Sequence, residues 1–269
     1  MPEGDTIYRA AASIRQWMGG RIVTAAESQV AGLQVQTLVG RTIERVEPHG
    51  KHLVLSFGAR PTIVDDLPVA LHSHMRMSGS WHVYTEFAQW QRPKRQAKII
   101  ITASDRLAVC FNAPIISLLP EREVMRGTSI GRLGPDVLVD PFDPAEVVAR
   151  ARATRNDDAI GEVLLDQRVV AGIGNIYRCE SLFLEGIHPW TILTQITDET
   201  LETLVITASR IMRNNLGKQI GRNFGSGEDQ QWVYRRAGLP CRRCGTAVQS
   251  RKQGTQARTA YWCSLCQRA

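Results

Sequence analysis

Four of the six cysteines stand in two close pairs, Cys241-Arg-Arg-Cys244 and Cys263-Ser-Leu-Cys266, with eighteen residues between them. Each Cys-x-x-Cys can fold into a tight knuckle, and four thiolates complete a tetrahedron around one structural Zn2+. Disulfides are the competing use of such pairs, but the opening MPEGD has no basic-then-apolar export pattern. Neither pair opens a helix after a strand, as a redox Cys-x-x-Cys does. Four sulfur ligands leave no open coordination position, which excludes a zinc-dependent hydrolase. The surrounding stretch of about forty residues is too short to bury a core of its own, so the metal would hold it folded. Cys110 and Cys179 lie in apolar segments and read as core.

A second group of residues points to phosphate. Gly172-Ile173-Gly174 precedes Asn175 at the start of a helical pattern. A helix opened this way presents free backbone N–H groups to an anion, and Asn175 adds a side-chain donor or caps the helix. The chain carries a net charge of +7 with a pI near 9.3. From residue 230 onward it has no Asp or Glu but holds Arg235, Arg236, Arg242, Arg243, Arg251, Lys252, Arg258 and Arg268. A basic stretch coincident with a zinc module implies a polyanionic partner.

The elements that must position these residues follow from periodicity. Ile7, Ala10, Ala11, Ile14, Trp17 and Met18 predict an amphipathic helix over 5–18, with Asp5 as N-cap and Gly19-Gly20 as its stop. From Arg21 to about Leu119 short alternating runs take over, among them Leu53, Leu55 and Phe57 after the turn Pro48-His49-Gly50. A hairpin is predicted around Ser104-Asp105-Arg106. Several such strands imply a β-sandwich or small barrel. Residues 130–142 are punctuated by Gly and Pro and read as a linker. Helices are predicted from Asp143-Pro144 to Thr154, over 157–166, over 175–185 and over 198–216. The expected organisation is α+β and multidomain: a β-sandwich domain with a leading helix (1–129), the linker (130–142), a helical domain (143–229) and a zinc hairpin (230–269). No apolar run could span a bilayer, so the cytoplasm, and a nucleoid within it, is the expected compartment.

The whole pattern resembles the formamidopyrimidine-DNA glycosylase and endonuclease VIII superfamily of base-excision enzymes. The resemblance is carried by Met1-Pro2-Glu3-Gly4-Asp5, Gly50-Lys51-His52-Leu53, the stretch from Gly172 to Glu180, and the run from Val233-Tyr234-Arg235 through the four cysteines. His74-Met75-Arg76-Met77-Ser78-Gly79 and Leu133-Gly134-Pro135-Asp136 add to it, and all occur in the expected order. The resemblance implies a helix–two-turn–helix DNA-binding domain, and DNA with damaged bases or abasic sites as the partner. With Met1 removed, Pro2 would carry a free secondary amine whose ordinary pKa, about 7.7–8.0, leaves much of it uncharged near neutrality. Attack on C1′ of a deoxyribose would displace the base and leave an iminium, and β- and δ-elimination of the flanking phosphates would follow. Glu3 would be the general acid, with Lys51, His74 and Arg258 on phosphates near the lesion. Asn175 and Gly174 would bind backbone phosphate, Glu180 would lie near the sugar, and Met77 would fill the gap left by the flipped nucleotide. One such site per chain makes a monomer sufficient.

Four features bear on the substrate. Asn112-Ala113-Pro114-Ile115-Ile116 lacks the arginine and aromatic wedge of the purine-lesion branch, and residues 219–231 leave little room for a long base-capping loop. Gly4 matches endonuclease VIII, while Thr6 stands where both branches usually have Glu. Oxidised pyrimidines are therefore the expected substrates. A purine-lesion glycosylase, or a damaged-DNA-binding zinc protein without catalysis, are the alternatives.

Overall fold

The computed structural model describes residues 2–217, 222, 224 and 231–268, and the chain divides into two compact units, Met1–Arg132 and Leu133–Ala269. The first unit opens with helix α1 (Gly4–Met18), whose buried stripe of Ile7, Ala11, Ile14 and Met18 follows the predicted spacing. Glu3, not Asp5, is the N-cap: its backbone is extended and its carbonyl accepts from Thr6 and Ile7 N–H at 2.9 and 3.3 Å. Asp5 is the second residue of the helix, fully buried, 3.6 Å from the Arg9 guanidinium.

Eight strands form two four-stranded antiparallel sheets. They are β1 (Val23–Ser28), β2 (Ile43–His49), β3 (His52–Phe57), β4 (Val69–His74), β5 (Ser80–Thr85), β6 (Ala97–Ala103), β7 (Arg106–Phe111) and β8 (Ile115–Pro120). The sheet orders are β1-β6-β7-β5 and β2-β3-β4-β8. Residues at period two on each strand face inward, so Leu53, Leu55, Phe57, Leu71, Ile99, Ile101, Ala108 and Cys110 join the α1 stripe in one core. A side-chain bond from Trp81 Nε1 to Ser73 Oγ (3.0 Å) links β5 to β4 inside it. The hairpin at Ser104-Asp105 forms as predicted, with Ala103 opposite Arg106. Short helix α2 (Val124–Gly127) and a 3-10 turn at Ser129–Arg132 close this unit.

The second unit contains α3 (Pro144–Arg155), α4 (Ile160–Val163), α5 (Asn175–Leu184) and α6 (Asp198–Arg213). Asp143 caps α3 by accepting from Ala145 and Glu146 N–H, with Pro144 at the first helical position. The helix expected over 157–166 shrinks to α4, one turn long, because Leu164–Val170 runs on into successive backbone turns. α5 is buried along nearly its whole length, and α6 turns inward Leu201, Leu204, Val205, Ala208, Ile211 and Met212, as its period predicted. The expected linker is corrected. Residues 130–132 belong to the first unit, and 133–142 are packed into the second. Gly134 N–H donates to Gln167 O, Val137 N–H to Ala171 O, and Val137 O accepts from Ser209 Oγ. Gly and Pro here make a fitted segment whose backbone polar groups are paired, which a free linker's are not. Strands β9 (Gln249–Gln253) and β10 (Arg258–Trp262) form a two-stranded hairpin near the C-terminus.

Candidate active site and nucleic-acid interface

In the first unit, Pro2 sits immediately before the cap of α1, half-buried, while Glu3 is completely buried. An amine at Pro2 would face the positive end of the helix dipole, which disfavours its ammonium form. Lys51 is half-buried in the two-residue loop of the β2–β3 hairpin, where Gly50 takes a φ of 58° that only glycine adopts without strain. His52 pairs with His74 across β3 and β4, so the hairpin loop and the end of β4 lie at one end of the sheet.

Beyond His74 the chain makes a tight turn. Arg76, at φ 48°, donates its N–H to His74 Nδ1 (3.0 Å), and Gly79 N–H donates to Met75 O (2.9 Å). A Cβ on Gly79 would stand 2.7 Å from Met75 O, so this approach needs glycine. The turn separates the two methionines it contains. Met75 is core at 1% exposure, while Met77 projects at 54%. Asn112–Pro114 packs beside this turn, with the Ala113 Cα 3.1 Å from where a Gly79 Cβ would be. The Asn112-Ala113-Pro114 segment itself carries neither an aromatic nor an arginine.

Three histidines near this turn have strongly lowered pKa values, chiefly through burial and secondly through neighbouring positive charge: His52 to about 3, His72 to about 4 and His74 to about 4. An unfolded histidine titrates near 6.5. Between those values the unfolded chain takes up protons that the folded chain refuses, so stability falls as the pH drops. His52 alone contributes a slope of about 1.4 kcal/mol per pH unit in that window. Urea unfolding followed by fluorescence of the buried Trp81 is expected to shift to lower midpoints from about pH 6.5 towards 4. A flat midpoint over that interval would contradict the burial argument.

In the second unit, Gly174 is the N-cap of α5 and Asn175 its first residue, both buried. Asn175 Nδ2 donates to Thr259 O (2.9 Å), the residue after Arg258. The side chain predicted to donate to phosphate thus ties the helix start to the hairpin. Arg258 is half-buried at the start of β10, opposite Gln253 and just past the turn. Gln253 anchors the other strand: its Nε2 donates to Pro189 O (2.7 Å) and its Oε1 accepts from the buried Arg178 guanidinium (3.1 Å). Neither Arg178 nor Gln253 carried a sequence signal, because both act through a contact 75 residues apart in the chain.

Glu180 has a structural task in the fold. It is fully buried, and its carboxylate accepts from the N–H groups of Trp232, Val233 and Tyr234 at 2.8, 3.1 and 2.8 Å. Burial raises its pKa while these three bonds pull it down. Its oxygens thereby shape the entry into the cysteine hairpin, a structural task that the sequence did not reveal.

The four cysteine sulfurs converge, all within 4.8 Å of one another, with Cys241 and Cys266 3.9 Å apart and Cys244 and Cys263 3.4 Å apart. Tetrahedral Zn–S bonds of about 2.3 Å need sulfurs a little under 4 Å apart, so this donor set fits a metal ion. Among the described residues no other group of metal-binding side chains gathers in this way. Cys110 and Cys179 are buried outside it, as expected. Most of 219–231 lies outside the described residues.

Sandwich, helical domain and cysteine hairpin, with the Pro-Glu start and the Gly-Ile-Gly-Asn helix, define a class of protein. The family model for the formamidopyrimidine-DNA glycosylase N-terminal domain matches residues 1–114, and that for the H2TH domain of the same enzymes matches residues 133–224. The chain belongs to the formamidopyrimidine-DNA glycosylase and endonuclease VIII family, on its endonuclease VIII-like branch. It is 36% identical over 270 residues to "Probable endonuclease 8 2" of Streptomyces coelicolor, covering 99% of this chain and 94% of that protein. It is 34% identical to "DNA-(apurinic or apyrimidinic site) lyase Nei2" of Mycolicibacterium smegmatis over the full length of both. Among solved structures, Lactococcus lactis Fpg in complex with DNA containing N7-benzyl-Fapy-dG superposes with a TM-score of 0.81 at 24% identity, over all of both chains. No helix among the described residues is long and apolar enough to cross a membrane.

Proposed function

We propose that this protein is a bifunctional DNA glycosylase and abasic-site lyase that acts on double-stranded DNA. The observation that carries the reading is Pro2 placed directly ahead of the α1 cap beside the buried Glu3, in a chain of this family. With Met1 removed, the uncharged Pro2 amine attacks C1′, and the damaged base leaves with the electron pair of the glycosidic bond. Glu3 gives a proton to the ring oxygen as the C1′–O4′ bond breaks and regains one from the attacking nitrogen, which is left as a cationic iminium. That cation withdraws electrons from C2′, so loss of a C2′ proton expels the 3′ phosphate; a second elimination expels the 5′ phosphate.

Lys51 and His74 grip phosphates beside the lesion, and Met77 occupies the space the flipped nucleotide leaves; its 54% exposure at a tight turn supports this role. The N-terminus of α5 at Gly174 and Asn175 offers N–H groups to backbone phosphate. Arg258 supplies a bidentate guanidinium, the geometry that suits phosphate oxygens. The four cysteines hold one structural Zn2+, which supplies folding energy to the hairpin and no reaction chemistry. The protein acts as a monomer on nucleoid DNA in the cytoplasm.

The Asn112–Ile116 stretch, which runs past Gly79 without the arginine and aromatic wedge of the purine-lesion branch, favours oxidised pyrimidines. A panel of duplexes with thymine glycol, dihydrouracil, oxidised guanine or an abasic site tests the assignment. Wild type is expected to cut the pyrimidine lesions and abasic site fastest. Arg258→Ala is expected to lose about a hundredfold or more in cleavage of all four, with circular dichroism and zinc content unchanged. Full turnover in that variant would remove Arg258 from the site. Preference for oxidised guanine would reassign the substrate to purines.

A further inference from the structure

The outer face of the β2-β3-β4-β8 sheet carries a buried polar chain that the reading above leaves unused. Strand register places His52 opposite His74 and Val54 opposite His72, so the three histidines share one face. His52 Nδ1 lies 2.8 Å from His72 Nε2, and His72 Nδ1 lies 3.2 Å from Ser117 Oγ on β8. At the other end His52 Nε2 lies 3.4 Å from Ser129 Oγ. His52 and His72 are 5% and 2% exposed.

Two neutral imidazoles bring one N–H each, and two serines bring one O–H each. The chain Ser129–His52–His72–Ser117 is therefore satisfied when all its donors run in one direction. An apolar residue at either histidine would leave buried nitrogens unpaired, which is why the positions are polar. The result is a His52 ring held at both nitrogens. That ring stands against His74 at a centroid distance of 4.4 Å and an interplanar angle of 87°. His74 accepts the Arg76 N–H at Nδ1, so its own proton is on Nε2.

We propose that His52, locked by His72 and Ser129, is a positioning residue that fixes the His74 ring so that its Nε2–H is presented to a DNA phosphate as a neutral donor. The proposal rests on His74 being a phosphate contact. Fixing the ring before binding removes the ordering cost that a rotating imidazole would incur on meeting its phosphate. It also accounts for a histidine at position 52, since a ring held only by packing would not have its tilt set by two hydrogen bonds.

A double-mutant cycle on an abasic-site duplex tests it. His52→Asn keeps a polar atom near Nδ1 for His72 but removes the ring from His74. The variant is expected to raise KM about tenfold with little change in kcat, and to have no further effect in a His74→Ala background. Nitrogen-15 spectra of wild type should show His74 as the single Nε2–H tautomer, and His52→Asn should convert it to a tautomer mixture. If His52→Asn fails to fold, His72→Asn, which keeps a polar atom near Nδ1 for Ser117 but none at Nε2 for His52, is expected to give the same KM rise and tautomer change one step further along the chain. An equal KM rise from the position-52 or position-72 change with and without His74, or an unaltered His74 spectrum, overturns the proposal. Failure of the phosphate reading looks different: His74→Ala alone would leave KM unchanged.

Discussion

Borohydride added to this protein with abasic-site DNA is expected to trap a covalent complex in high yield, and any change that blocks the Pro2 nitrogen is expected to abolish it. Reduction captures a Schiff base, which a secondary amine forms only as a cationic iminium, so the adduct reports covalent attack by an amine. Pro2→Gly replaces the ring with a primary amine of greater freedom and is expected to slow trapping severely. Retaining Met1 or adding a residue ahead of Pro2 converts the nitrogen to an amide without a nucleophilic lone pair, and the expected loss is about a thousandfold or more in strand scission. Glu3→Gln is expected to impair base removal more than scission of a pre-formed abasic site. The carboxyl is fully buried at the α1 cap, and the glycosidic bond is the step that most needs its proton. Mass spectrometry of the trapped tryptic peptide would place the adduct on the first residue. Undiminished scission by a chain with a blocked terminus would end the assignment of Pro2.

Removal of the metal is expected to produce the other large effect. Cys241→Ser or Cys266→Ser, or prolonged chelation, should take the zinc content from one per chain towards zero. DNA affinity should fall at least about a hundredfold, because structural zinc in such modules supplies about 10–16 kcal/mol of folding free energy. Gln253 and Ala260 are the only buried residues of β9 and β10, so little apolar packing would keep the hairpin folded without its metal. The loss would pass to Arg258 and to the Asn175–Thr259 bond, both of which depend on the hairpin. The core of the first unit shares no residue with this module, and its circular dichroism should survive. A variant that binds lesion DNA normally without metal would show that the hairpin stands by other means.

The reach of local pattern is plain in particular elements. The α1 stripe, the inward face of α6 and the Ser104-Asp105 hairpin were readable because helix and strand periods sort side chains by face over a few residues. The cysteine site was readable because each knuckle is local and only the joining of two knuckles is not. Asp5 as a cap failed since the cap falls two residues earlier, at Glu3. The linker failed because Gly and Pro mark backbone that bends sharply, whether it is free or packed; the partners of Val137 and Gly134 decide which. The structural partners of Glu180 were not legible because a carboxylate in a helix has no sequence mark for the direction it faces. Its three N–H partners lie more than fifty residues away in the chain.

What the amino-acid order determined unaided was the inventory: a proline at position 2 followed by a glutamate, a Gly-Ile-Gly-Asn helix opening, four thiols at metal spacing and the periods of the elements that carry them. Tertiary structure alone decided which groups meet. Strand register set His52 against both His72 and His74, a turn sent Met75 inward and Met77 outward, and Asn175 joined helix to hairpin. Those pairings depend on the burial of residues distant in the chain, where desolvation forces each polar group to find a partner, and no local pattern records which partner that is.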